Sequence, residues 1–133
     1  MDKVNFSLPA KAEYVGVVRL AVSAIANRMG FDVEEIEDIK VCVSEACTNA
    51  VKHSGSDRFD ILVCVMDDSI SIRIKDFGNG FDTRNIKEPD LENPSEEGGL
   101  GIFIIRTLMD SVNLTSNPGE GSYIDMVKYL GDK

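Results

Sequence analysis

The spacing of apolar residues changes in a set order along this chain, and that order limits the fold more than any single motif does. Val4, Phe6 and Leu8 alternate with polar residues, as a short half-buried strand requires, and Pro9 ends the run. The spacing then becomes helical. From about Ala12 to Met29 the positions Val15, Val18, Val22, Ile25 and Met29 recur on one face, until Gly30 stops the pattern. Asp32 with Glu35 three residues on has the form of a capping box, and the stretch Val33 to His53 places Ile36, Ile39, Val43, Cys47 and Ala50 on one stripe. Alternation returns in Phe59, Ile61, Val63 and Val65 and again in Ile70, Ile72 and Ile74. The turn residues Asp67-Asp68-Ser69 between the two runs predict a β-hairpin.

Between Gly78 and Gly99 the composition shifts to Gly, Asn, Asp, Glu and Pro, with no apolar period. Beyond it, Leu100 to Met109 reads as a helix, and Val112 to Thr115 and Ser122 to Tyr129 as strands separated by Asn117-Pro118-Gly119. The predicted order is β-α-α-β-β-loop-α-β-β. Strands paired as hairpins imply an α+β two-layer sandwich, with helices on one face of a mixed, mostly antiparallel sheet. A chain of 133 residues fits one domain, 1–133, with a lid at about 78–99.

Composition narrows the function classes. A net charge of −9, with no basic stripe interleaved with aromatics, argues against nucleic acid and anionic membrane surfaces as partners. No apolar run approaches the roughly 20 residues of a membrane helix, and Met1-Asp2-Lys3-Val4-Asn5 lacks the form of a secretory signal, so the expected location is cytoplasmic. Cys42, Cys47 and Cys64 are odd in number and lack CxxC spacing. They read as buried thiols rather than a disulfide framework or a zinc site.

The chemistry gathers at the ends of the long loop. Asp76-Phe77-Gly78-Asn79-Gly80 opens it, and Gly98-Gly99-Leu100-Gly101 closes it at a helix start. Glycines at a helix N-terminus let backbone N–H groups approach an anion closely, and the helix dipole favours negative charge there, so phosphate is the natural ligand. Either cluster alone is also what a tight turn looks like. No GxxxxGK[ST] occurs, and no GxGxxG follows an N-terminal strand, so the cradle is neither a P-loop nor a Rossmann site. Glu45 and Asn49 complete the set: spaced i, i+4, they lie about 40° apart on one helix face and can address one ligand.

Together these segments resemble a known family. Ser44-Glu45-Ala46-Cys47-Thr48-Asn49-Ala50-Val51-Lys52-His53 is similar to the N box of GHKL ATPases, Asp76-Phe77-Gly78-Asn79-Gly80-Phe81 to their DxGxG box, and Glu97-Gly98-Gly99-Leu100-Gly101-Ile102 to their second glycine box, in the expected order. Glu13 to Leu20, Glu35 to Lys40 and the closing Val127-Lys128-Tyr129-Leu130 resemble the anti-sigma-factor serine kinases of the RsbW and SpoIIAB type, RsbW most closely. The resemblance implies the two-layer GHKL fold and an ATP site. Asn49 would hold Mg²⁺ through its amide oxygen, and Asp76 would accept a hydrogen bond from the adenine amino group. Gly78 and Gly80 would let the chain pass close to the base, while Gly98, Gly99, Leu100 and Gly101 would wrap the phosphates. Ser122 stands where relatives carry an adenine-contacting Thr, and Glu45 would be the general base.

By the same resemblance the partners are a STAS-type anti-sigma-factor antagonist, phosphorylated on a serine, and a sigma factor, with the kinase a homodimer. Arg19 matches a partner-contacting arginine, although a plain exposed helix charge explains it equally well. Lys52 and Arg106 read as solvated charges, and His53 as the end of its helix. One departure is visible: Glu96 and Glu97 stand where SpoIIAB has a lid arginine, so no phosphate-contacting arginine is carried over. Three other readings stand beside it: an ATP-dependent clamp without turnover, a switch kinase of the same family that does not bind sigma, and a fragment of a histidine sensor kinase, which the lack of an upstream dimerisation segment with a phosphoacceptor histidine weakens.

Overall fold

The computed structural model describes residues 1–53, 57–78, 99–117 and 121–131. The strands are β1 (Asp2–Pro9), β2 (Arg58–Val65), β3 (Ser69–Asp76), β4 (Ser111–Asn117) and β5 (Gly121–Tyr129), and the helices are α1 (Val15–Met29), α2 (Val33–His53) and α3 (Gly99–Leu108). The strands form one sheet in the order β1-β2-β3-β5-β4. All four pairings are antiparallel, so the mixed sheet allowed by the sequence resolves to a purely antiparallel one. Residues 79–98, which hold most of the expected lid together with Gly80, Glu96, Glu97 and Gly98, lie outside the described residues.

Local chemistry explains the helix boundaries. α1 follows a 3-10 turn over Ala12–Tyr14 and ends at Gly30, whose φ of 100° is the left-handed cap that glycine adopts without a Cβ penalty. Gly30 N donates to Asn27 O, and Phe31 N reaches back to Ala26 O at 3.2 Å, which satisfies carbonyls that the helix would otherwise strand. Phe31 is buried behind this turn. The capping box is present in both halves: Glu35 N donates to Asp32 Oδ1 at 2.8 Å, and Asp32 N to Glu35 Oε1 at 2.9 Å. Asp32→Ala is expected to cost about 1 kcal/mol, read as a lower urea midpoint with an unchanged slope.

The sheet has a buried face and an open one. Phe59, Ile61 and Val63 of β2, Ile70, Ile72 and Ile74 of β3 and Ile124 and Met126 of β5 point to the helices. There they meet Val18, Val22 and Ala26 of α1, Ile39, Val43 and Cys47 of α2 and Ile105 of α3. On the open face Arg73 and its register partner Asp125 form an ion pair, Nε to Oδ1 at 2.8 Å, with the guanidinium over the Tyr123 ring. The β2–β3 turn is tighter than the sequence suggests. Met66 N donates to Ser69 O, which leaves Asp67 and Asp68 as the loop, and Ser69 is buried as the first residue of β3.

β3 lies at the middle of the sheet and ends in Asp76, and α2 packs against α1 on one side and α3 on the other. The end of the central strand and the middle helix are thus brought together.

Candidate functional site

Asp76 and Ser122 are opposite each other in the β3–β5 register, Asp76 6% exposed and Ser122 2%. A buried carboxylate is costly unless hydrogen-bonded, and this one is. Ser122 Oγ donates to Asp76 Oδ2 at 2.6 Å, and Gly78 N donates to Oδ1 at 3.1 Å. Each carboxylate oxygen keeps a further lone pair for a ligand. Gly121 makes the arrangement possible: its φ is 95°, and a Cβ at this position would lie 2.3 Å from the Asp76 carbonyl oxygen. Only glycine lets β5 start so close to the end of β3.

Glu45 and Asn49, both half-buried on α2, meet the start of α3. A Cβ on Gly101 would come within 2.8 Å of Glu45 Oε2 and 3.5 Å of Asn49 Nδ2, so this glycine leaves room for the helix to approach both side chains. The first N–H groups of α3 lack intrahelical partners and sit at the positive end of its dipole. Gly99 opens that helix, Leu100 is half-buried in its first turn and Gly101 is buried. Between these elements lies a recess open to solvent, with Asn49, Asp76 and Ser122 as polar lining and Ala46, Ala50, Ile74, Ile102 and Leu114 among the apolar. An apolar slot with an amide, a carboxylate and a hydroxyl in its lining suits a ligand with a flat hydrogen-bonding ring, and the N-terminus of α3, whose Ile102 joins the lining, suits an anionic tail.

The structure therefore unites Asn49, Asp76 and Ser122 around one recess, with Gly78 bonded to Asp76 and Glu45 touching Gly101; Gly80 and Gly98 fall outside the described residues. Arg19 is half-buried rather than a free surface charge, and its Nη1 donates to Ser44 Oγ at 3.2 Å, one residue before Glu45. Lys52 and Arg106 are exposed, as solvated charges should be. Cys42 and Cys47 are buried and free, and burial pushes both thiols up to about 12, which leaves them unreactive at neutral pH; Cys64 is half-buried in β2.

Two features escaped the sequence reading. Gly121 carries no signal of its own in the sequence, because Asn117-Pro118-Gly119 supplies enough turn chemistry to explain the hairpin and nothing local shows how near Asp76 passes. Phe77 stands in the sequence only as part of a motif, yet its ring lies under the Arg58 guanidinium at 4.3 Å and near Lys75 Nζ at 5.0 Å. Cation–π contacts of this kind contribute roughly 0.5–1 kcal/mol at exposed sites. A cation alternating with an aromatic across a strand pair was the available signal.

Comparison with known proteins identifies the family. Residues 8–128 match the family model described as the histidine kinase-like ATPase domain. The chain is 45% identical to the serine-protein kinase RsbW of Oceanobacillus iheyensis over 99% of its length and 89% of that protein's. It is 39% identical to the serine-protein kinase RsbW of Bacillus cereus, over 97% of the chain and 86% of the relative. Among solved structures, that of the RsbU and RsbW domains of a Mycobacterium tuberculosis protein superposes on the whole chain with a TM-score of 0.74 at 16% identity, which speaks to the fold alone. The present chain spans 34% of that longer one. A blue-light activated histidine kinase of Erythrobacter litoralis follows with a TM-score of 0.59 and 27% identity over 92% of this chain, which in turn spans 42% of the kinase. No helix among the described residues is long and apolar enough to cross a membrane. Full-length likeness of this degree, on a five-stranded antiparallel sheet, places the chain in the histidine kinase-like ATPase domain family, within the RsbW group of serine-protein kinases.

Proposed function

We propose that this chain is a cytoplasmic ATP- and Mg²⁺-dependent kinase that phosphorylates a serine on a STAS-type anti-sigma-factor antagonist and sequesters a sigma factor, acting as a homodimer. The observation that carries the reading is the convergence of Glu45 and Asn49 on Gly101 beside the recess that Asp76 and Ser122 line. Asp76, already fixed by Ser122 and Gly78, accepts a hydrogen bond from an exocyclic amino group; a guanine carbonyl at the same position would meet it oxygen to oxygen. The donor set fits Mg²⁺: Asn49, which lines the recess, carries a neutral amide oxygen of the kind a hard cation takes, and such a cation would complete its shell with phosphate and water oxygens. The ion supplies neutralisation of charge on the transferred phosphoryl group.

Glu45 acts on the incoming serine. It takes the hydroxyl proton as the serine oxygen bonds to the γ-phosphorus and the bond from that phosphorus to the β,γ-bridging oxygen breaks, leaving ADP. The α3 N–H groups hold the phosphate tail in line. Partner binding is supported on α1, where Val17 is 48% and Leu20 67% exposed on either side of Arg19, an apolar surface next to a charge that reaches Ser44. Incubation with γ-labelled ATP, Mg²⁺ and the STAS antagonist is expected to label one serine. Calorimetry without measurable heat for ADP and Mg²⁺ would defeat the reading.

A further inference from the structure

The closing strand carries contacts that the nucleotide reading leaves unused. Lys128, half-buried on β5, donates its Nζ to the Leu108 carbonyl at 2.7 Å. Leu108 is the last residue of α3, so its carbonyl is one of those no helical N–H can reach, and it lies at the negative end of the helix dipole. A cationic donor there supplies both the missing hydrogen bond and the complementary charge. Two more bonds fasten the same corner: Asp110 N donates to Val127 O at 2.9 Å, and Tyr129 N donates to Asp110 Oδ2 at 2.7 Å. The Lys128 charge also reaches α2, where it pulls the Cys42 thiol downward against the larger upward pushes of burial and Asp38. The ammonium therefore stands where α2, α3 and β5 meet.

About 10 Å away, in the first turn of this ten-residue helix, Gly101 lies against Glu45 and Asn49. Glycine has no side chain with which to interlock, so this contact sets a distance of approach without fixing a direction. The direction comes from the fastened corner. We infer that Lys128 is a positioning residue for the nucleotide, holding α3 at the angle that brings its glycine-rich N-terminus onto Glu45 and Asn49. The inference rests on the nucleotide reading above and extends the binding machinery to a residue at the far end of the helix.

Calorimetry with ADP and Mg²⁺ tests it on the full chain and its variants. Lys128→Met keeps the aliphatic stem and removes the donor, and is expected to weaken ADP binding about fivefold; Lys128→Arg should restore it to within twofold of the wild type. Asp110→Ala, which releases the second fastening, should weaken binding in the same direction and serves if Lys128→Met does not fold. Val63→Ala, buried in β2 away from the recess, should lower the melting temperature without changing affinity. Unchanged affinity in the folded Lys128 and Asp110 variants overturns the inference, as does an equal loss in Val63→Ala, which would assign the effect to stability. A wild-type chain that binds no ADP overturns the nucleotide reading itself, whereas a wild type that binds alongside indifferent variants overturns only the role of Lys128.

Discussion

Glu45→Gln is expected to lower the rate of phosphoryl transfer by about 10² to 10⁴, the range that positioned proton transfer contributes, while ADP affinity stays within threefold of the wild type. The substitution is nearly isosteric, so the close approach of Gly101 to this side chain survives and the start of α3 keeps its place. What is lost is the capacity to take a proton. A variant that transfers phosphate at the wild-type rate would exclude Glu45 as the base. A variant that loses ADP binding together with transfer would make it a positioning residue. The same experiment separates a kinase from an ATP-dependent clamp, because a clamp has no transfer to lose.

The second large effect is expected at a residue that touches no ligand. Gly121→Ala places a methyl group 2.3 Å from the Asp76 carbonyl oxygen and 3.1 Å from Phe77 Cα, at a φ that L-residues rarely adopt. Neither neighbour is a flexible side-chain tip, so relief requires β5 to draw away from β3. A cost of about 3 kcal/mol is expected, a large part of the roughly 5–15 kcal/mol that holds a typical domain folded. Ser122 would move with the strand and leave Asp76 short of a donor, so ADP binding should be lost along with stability. Gly30→Ala is the control. Its φ of 100° is equally unfavourable, but nothing stands within 4 Å of the added Cβ, so only the backbone cost of about 1 kcal/mol is expected, with affinity intact. Urea denaturation and calorimetry on both variants check the pair; equal losses would show that backbone strain, not collision, governs the site.

Much of the fold was legible because its signals are local. The two alternating runs of the central hairpin, the Asp32–Glu35 box and Gly30 each act within a few residues, and each is found in the predicted place. The site was legible only in part. Glu45 and Asn49 announce themselves by helical spacing, and Asp76 and Gly101 by the glycines around them, but their meeting depends on how α3 lies against α2. Gly121 was silent for the same reason: its requirement comes from Asp76, 45 residues away in sequence, passing within 2.3 Å of where a Cβ would be.

What the sequence determined by itself was the set of elements, their boundaries and the chemical types placed at their ends, because hydrophobic period, capping and turn chemistry are short-range. The tertiary structure decided which of those ends meet. It put Ser122 opposite Asp76, Gly101 on Glu45 and Lys128 under the last turn of α3, because strand register and helix packing are settled by the joint burial of side chains far apart in the chain.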